Sequence, residues 1–411
     1  MLKTHYLIIG GGIAGTTAAE TIRQNDKNNE IAIVSDEPYR LYSRIILSKA
    51  NFFLGKIPLD SVWLKTPEWY KNNRIDLILG KKAVECDPGK KCIKLDDGSE
   101  IQFEKLLLAM GGHARKWPVD GANKKGVFYL RTLDDAKGAM TAIKKAKKAV
   151  CVGGGFTSFE MCDVLKLAGI EITVIVREPY FWSPALDEPS GKMVEEAFKK
   201  SGVRLIQNAT VKKVIGDKTV TGVKLENGDE ISCDMIIVGI GVSTDSDWLN
   251  SAGISVSRGI VANEYMETNI KDIWTAGDCA KFNDLLLDEY ILLGNWANAQ
   301  NHGKIAGLNM SGKKQAFQMV SSFSSHAFGV SVAFTGDARS ENREVIKRGS
   351  PQSNSYGRII IDDHDEMVGA TFINRTQELM PTAKLIEKGI KVVSIRKQLA
   401  DSNYNLNQLL K

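Results

Sequence analysis

The stretch YLIIGGGIAGTTAAE, residues 6–20, places Gly10, Gly12 and Gly15 behind a short apolar run and ahead of a helical pattern. The chemistry this spacing suits is the holding of a pyrophosphate. The first glycine allows a tight turn, the second lets phosphate oxygens reach the backbone, and the third lets helix and strand pack closely; the helix N-terminus then faces the negative charge. The acid pair Asp36-Glu37 closes the next apolar run, at the distance where such a unit binds a ribose hydroxyl. The device returns in AVCVGGGFTSFEMCDVL, residues 149–165, with Gly153 and Gly155 in the first two places and Ser158 in the third. The strand that follows it runs into Arg177-Glu178. A glutamate there favours the ribose 2′-hydroxyl of NAD and an arginine favours the 2′-phosphate of NADP, so the choice of nucleotide stays open. A third stretch, TNIKDIWTAGDCA at 268–280, ends an apolar run in Gly277-Asp278, a carboxylate placed to accept hydrogen bonds from polyol hydroxyls behind a glycine that permits close backbone approach.

Each glycine hook requires a strand–turn–helix–strand unit around it. The pattern predicts a strand over 6–9, a helix over about 14–24 and a second strand over 31–34. The segments KAVECD, KCIKLDDGSEI and KLLLAMGG then read as a β-meander ending in a buried strand. The second unit opens at Ala149 and continues through a strand over 172–176 and a helix over 191–200. Two hooks imply two dinucleotides: FAD in one and NAD(H) or NADP(H) in the other, with a hydride passing between them. The fold class expected is α/β, with two Rossmann-like dinucleotide-binding domains. Past residue 317, strands over 330–334, 358–361 and 367–372 and a helix over 380–388 are expected to form a small C-terminal α/β domain.

The chain has 411 residues, 43% hydrophobic and 25% charged, the balance of a globular protein with ample core material. A net charge of +5 is too weak to argue for nucleic acid but suits an acidic partner. The lysine run IKKAKKAV, residues 143–150, reads as a solvated helix end leading into a strand. None of the six cysteines forms a CxxC or has metal-ligand spacing, so no metal site is expected; Cys86 and Cys92 flank a DPGK turn and could face one another across a hairpin. The sequence starts almost at once into a strand and holds no apolar run of membrane-spanning length, which points to a cytoplasmic protein with no membrane contact.

With the two hooks and the Gly-Asp strand end in place, the sequence resembles the FAD-dependent pyridine nucleotide-disulfide oxidoreductases of the glutathione-reductase fold, a three-layer ββα architecture. The segment DEPYRLYSRIILSK, residues 36–49, is similar to the ferredoxin and rubredoxin reductase branch, which lacks a redox-active disulfide. LLLAMGG (106–112) and IIVGIGVSTDSDWL (236–249) resemble the two crossings between the domains, with Met110 where a threonine is usual and Gly241 in the return crossing. The resemblance implies an FAD domain of residues 1–112 and 237–316, an NAD(P) domain of 113–236 and a C-terminal domain of 317–411. It implies that Asp36 binds the FAD ribose with Glu37 beside it, that Arg44 lies near the flavin phosphates or ring, and that Asp278 holds the ribityl chain. Lys49 is implied near flavin N5, paired with Glu160 at the nicotinamide. The helix that starts at Trp296 and Ala297 would point its positive end at the flavin pyrimidine. Relatives commonly carry an aromatic group near the flavin edge; here SSFSSHAFG leaves Phe323, His326 and Phe328 as the candidates.

The function expected is FAD-dependent exchange of electrons between NAD(P)H and a small acidic iron–sulfur or rubredoxin-type carrier, in either direction, by a monomer or homodimer. A peroxide-forming NAD(P)H oxidase and a redox-sensing flavoprotein that acts through assembly are the alternatives. The tail LIEKGIKVVSIRKQL resembles the ends of reductases associated with carbon monoxide dehydrogenase.

Overall fold

The computed structural model describes residues 2–183 and 185–411, and the chain divides into two units. The first unit comprises Met1–Ser43, Asp60–His113 and Val242–Met319; the second comprises Arg44–Leu59, Ala114–Gly241 and Val320–Lys411. The short segment Arg44–Leu59 and the C-terminal residues thus join the second nucleotide-type fold, a grouping that the sequence motifs do not reveal.

In the first unit the strand Leu2–Ile9 lies between Ile31–Ser35 and Glu100–Leu108, parallel to both, and Ile75–Leu79 extends the edge. The strand Ile273–Thr275 joins at the far end of Glu100–Leu108, pairing Ile273 with Leu106. These strands are runs of leucine, isoleucine and valine because both faces are covered. The helix Ile13–Asn25 covers one face together with Trp296–Met310. The two helices meet at small residues: a Cβ on Gly303 would stand 2.1 Å from the Ala14 carbonyl oxygen, and one on Gly307 would stand 2.8 Å from that of Ala18. The meander is present as Ala83–Asp87, Cys92–Leu95 and the start of Glu100–Leu108.

The second unit repeats the plan. Its parallel sheet runs Arg204–Ile206, Glu171–Ile175, Lys148–Val152, Met235–Val238 and Val127–Phe128, with an antiparallel trio, Val211–Ile215, Gly222–Leu225 and Glu230–Ser232, beside it. The lysine run is the exposed end of the helix Leu133–Ile143 and the entry to the strand Lys148–Val152. The C-terminal residues build a five-stranded antiparallel sheet in the order Ser322–Ala327, Val330–Gly336, Met367–Ile373, Ser355–Ile361, Glu344–Ser350, packed on the helix Leu379–Glu387. The first and last of these strands are additions to the three expected from sequence.

An aromatic cluster ties this sheet to the nucleotide-type fold. Phe156 packs edge-on against Trp182, Phe323 and Phe334, while Phe328 meets Phe159 and Phe198. The rings of Phe323 and Phe328 are half-buried and pack on aromatic neighbours of their own unit. His326 is exposed and its Nδ1 sits 2.8 Å from Ser331 Oγ across the hairpin, the place of a structural histidine.

The cysteine expectation is also corrected. The hairpin pairs Cys86 with Ile93 and Asp87 with Cys92, so the one-residue offset turns the two thiols to opposite faces. All six cysteines are free.

Candidate functional site

The first hook follows the strand Leu2–Ile9. Gly10 has φ +117°, and a Cβ there would stand 2.1 Å from the Ala109 carbonyl oxygen. A Cβ on Gly15 would stand 2.0 Å from the Gly10 carbonyl oxygen, which is the close helix–strand packing the third place requires. Gly12 differs: a methyl there would meet nothing within 4 Å. It is the N-cap of the helix Ile13–Asn25, and no side chain caps that end. The result is a backbone cradle at a helix N-terminus whose donors and dipole suit a phosphate.

Asp36 follows the strand Ile31–Ser35 and lines a concavity with Gly10, Lys81, Met110, His113 and Asp245. Lys81 and His113 come from outside the motifs and Asp245 from the return crossing, and only the fold brings them to Asp36. The Glu37 carboxylate accepts a hydrogen bond from the Tyr42 hydroxyl at 2.6 Å, so Asp36 is the acid that faces the concavity. Gly277, buried with φ +82°, brings its turn against Ala14 at the start of the first hook helix. The Asp278 side chain lies against Gly294, where a Cβ would stand 3.1 Å from Asp278 Cγ. One residue on, Asn295 accepts from the Asn298 N–H and caps the helix Trp296–Met310; Trp296 is half-buried and Ala297 exposed. The first hook, Asp278 and the start of that helix therefore converge.

The second hook repeats the geometry. Gly153 has φ +105° and would place a Cβ 2.3 Å from the Gly239 carbonyl oxygen, whereas a methyl on Gly155, the uncapped N-cap of the helix Phe156–Leu167, would meet nothing within 4 Å. Ser158 fits the third place because its facing residue is a glycine: a Cβ on Gly239 would stand 2.8 Å from Ser158 Oγ. Arg177 is 82% exposed, and its Nε donates to Glu178 Oε1 at 2.9 Å. Gly241 is exposed with φ +105°, beside the Arg115 side chain.

Glu160 lies one and a half turns into the second hook helix, with its side chain 11% exposed. Its Oε1 accepts from Lys49 Nζ at 2.6 Å and from Ser325 Oγ at 2.7 Å, and its Oε2 accepts from Ser48 Oγ. The motif residues Lys49 and Glu160 are thus brought together, and two serines that the motif reading did not single out complete the shell. Arg44 donates to the Arg131 carbonyl at 2.8 Å within the same unit.

Both hooks fit a dinucleotide, since their second glycines are open and their helix ends carry no side-chain cap. Thiol chemistry is a poor fit. Burial pushes Cys86 and Cys233 up to about 12 and holds Cys162 well above its ordinary value. Among the described residues no cluster of histidine, cysteine, aspartate or glutamate could hold a metal ion, and no helix is long and apolar enough to cross a membrane.

Comparison with known proteins agrees with this geometry. Residues 4–303 match the pyridine nucleotide-disulphide oxidoreductase model and residues 323–410 the reductase C-terminal model. The rubredoxin-NAD(+) reductase of Pseudomonas putida is 31% identical over 74% of this chain and 80% of its own length. The nitrite reductase [NAD(P)H] of Bacillus subtilis is 29% identical over 94% of this chain, which spans about half of that protein, 48%. A covalent putidaredoxin reductase–putidaredoxin complex superposes with a TM-score of 0.93 at 25% identity, covering 100% of this chain and 99% of the other. Two glycine cradles, a Gly-Asp turn converging on the first of them and matches to both models place this chain in the pyridine nucleotide-disulphide oxidoreductase family, with a reductase C-terminal domain.

Proposed function

We propose that the protein is an FAD-dependent NAD(P)H oxidoreductase that passes electrons between a nicotinamide nucleotide and a small carrier of the ferredoxin or rubredoxin kind. The observation that carries this reading is the pair of open, uncapped glycine cradles, set in a chain where burial pushes the Cys86 and Cys233 thiols up. FAD, when bound, supplies the conversion between one hydride and two single electrons.

The residues divide between two ligands. Gly10, Gly12 and Gly15 cradle the FAD pyrophosphate, Asp36 takes the ribose hydroxyls, Gly277-Asp278 holds the ribityl chain, and the helix that begins at Trp296 and Ala297 turns its positive end to the flavin. Glu37 stands beside Asp36, its carboxylate accepting from the Tyr42 hydroxyl. Arg44, whose guanidinium also donates to the Arg131 carbonyl, lies near the flavin phosphates or ring. Gly153 and Gly155 cradle the nicotinamide nucleotide's pyrophosphate, Gly241 lets its backbone approach, and Glu178 with Arg177 meets the adenosine ribose. Lys49 and Glu160 orient the nicotinamide.

The carrier is acidic, matching the +5 chain. Relatives support this class: one is a rubredoxin reductase, and another was captured with putidaredoxin. An iron–sulfur carrier of a carbon monoxide dehydrogenase system belongs in the panel to be tried. Six unpaired cysteines suit a cytoplasmic setting.

The test is anaerobic stopped-flow mixing of the oxidised holoenzyme with NADH or NADPH, then with carriers. Fast flavin bleaching followed by fast carrier reduction is expected. Oxygen consumed faster than any carrier is reduced would replace this reading with a peroxide-forming oxidase; slow reduction of every acceptor with redox-dependent oligomer size would replace it with a sensor.

A further inference from the structure

We propose that Ser325, supplied by the C-terminal domain, is a positioning residue for nucleotide oxidation that acts through Glu160; the proposal rests on the reading that Glu160 meets the nicotinamide. Along the helix Phe156–Leu167, residues 156, 160 and 163 fall on one face. Along the strand Ser322–Ala327, Phe323 and Ser325 fall on one face, with Ser324 and His326 exposed on the other. The two faces meet in three rungs. Phe323 packs on Phe156 with ring centroids 4.9 Å apart, Ser325 Oγ donates to Glu160 Oε1 at 2.7 Å, and the Phe328 N–H donates to Asp163 Oδ1 at 3.2 Å. The apolar rung sets the strand on the helix, and the middle rung then aims one hydroxyl at one carboxylate oxygen.

The partners of Glu160 differ in what they can hold. The Lys49 side chain is 45% exposed on a flexible stem, so its ion pair is screened and costs rotamer freedom to maintain. Ser325 is 3% exposed and fixed in a ladder opposite Val332. A short hydroxyl on a rigid strand restrains a carboxylate better than a long ammonium in water. Ser48 fixes the other oxygen. Ser325 thereby keeps the carboxylate in the single rotamer in which the nicotinamide finds it.

The test is a double-mutant cycle on the FAD-loaded enzyme, reading the rate of flavin reduction by NADH under anaerobic conditions. Ser325→Ala should slow reduction about tenfold in the natural background and less than about twofold in the Glu160→Gln background, since the coupling runs through the carboxylate. Ser325→Thr keeps the hydroxyl and should recover most of the rate; Ser325→Cys, close in volume but a weak donor, replaces the alanine variant if that one does not fold. Equilibrium titration of NAD⁺ into the oxidised holoenzyme gives a readout without turnover, and any change caused by Ser325→Ala should vanish with Glu160→Gln. If Glu160→Gln alone is as fast as the natural enzyme, the nicotinamide is not at Glu160 and the underlying reading falls. If Glu160→Gln is slow but Ser325→Ala is not, or its effect persists undiminished beside Glu160→Gln in either readout, only the Ser325 proposal is overturned.

Discussion

Asp278 and His302 stand on either side of the division between binding and stability. Asp278 is half-exposed at the turn that meets the first hook, with room around its carboxylate set by Gly294. Asp278→Ala removes ionised acceptors from hydroxyl groups, each such bond contributing about 1.5–3 kcal/mol, so FAD should bind at least tenfold more weakly and the purified protein should carry less of it. Flavin absorbance per chain checks this, and full occupancy would remove the ribityl assignment. His302 is fully buried edge-on to Phe282 and Phe317, and that burial lowers its pKa to about 3. Below about pH 6.5 the unfolded chain takes up a proton that the folded chain refuses, so stability falls as pH drops from about 6.5 towards 3, by about 1.4 kcal/mol per pH unit. His302→Gln has no such proton to take up. Melting temperatures from pH 7 to pH 4.5 should therefore fall less steeply in the variant, and parallel curves would refute the assignment.

At the scale of elements the two hooks separate folding from binding within five residues. Gly10→Ala would drive a methyl into the Ala109 carbonyl at a φ of +117°, and should destabilise the first unit by several kcal/mol, seen as loss of soluble protein or a lowered melting point. Gly12→Ala and Gly155→Ala meet only open space and should leave the melting point of the apo chain within about 1 kcal/mol of natural, while weakening FAD and the nicotinamide nucleotide respectively. The hooks, their strands and their helices were legible because glycine spacing and apolar period act locally. The strand Ser322–Ala327 was not, since SSFSSHA offers only one large apolar residue to an alternating pattern. Glu344–Ser350 hid its buried Arg348 for a similar reason: an arginine inside a strand reads as solvent-facing until its partners are seen. Ser48 and Ser325 were invisible as site residues because their meaning lies in a carboxylate more than a hundred positions away in each case. The sequence names Asp36 as the ribose acid with Glu37 beside it, but the contact that Glu37 makes with the Tyr42 hydroxyl is not legible in the motif.

For the whole molecule, charge and a buried ionic knot make opposite kinds of prediction. The +5 balance should make reduction of an acidic carrier slow steeply with added salt, while flavin reduction by NADH in the same buffers changes little. Equal salt dependence in both steps would count against charge-steered docking. Arg348, wholly buried, donates to Glu378 at 3.0 Å and to the carbonyls of Gln398, Leu399 and Tyr404, and Arg375 joins Glu378 and Ser402. Burial pushes the Glu378 pKa up, but hydrogen bonds from Arg375 and Arg348 outweigh it and leave the carboxyl below its ordinary range. Glu378→Gln breaks the knot and should cost about 3–5 kcal/mol, with the last fifteen or so residues becoming open to limited proteolysis.

The path of the chain between its two units has a consequence for its birth on the ribosome. The opening strand and helix are made first, yet the strand Ile273–Thr275 and the helix Trp296–Met310 that complete their sheet and cover arrive some two hundred and fifty residues later. Residues 44–59, threaded through that first stretch, wait longer still, because Ser48 finds its carboxylate at 160 and that carboxylate finds its last donor only at 325. The first unit cannot finish before residue 319 is made, nor the second before the C-terminal sheet, so a nascent chain exposes half-built parallel sheets for most of its synthesis. Messages truncated before residue 319 should therefore yield aggregates rather than a unit that takes on colour with added FAD.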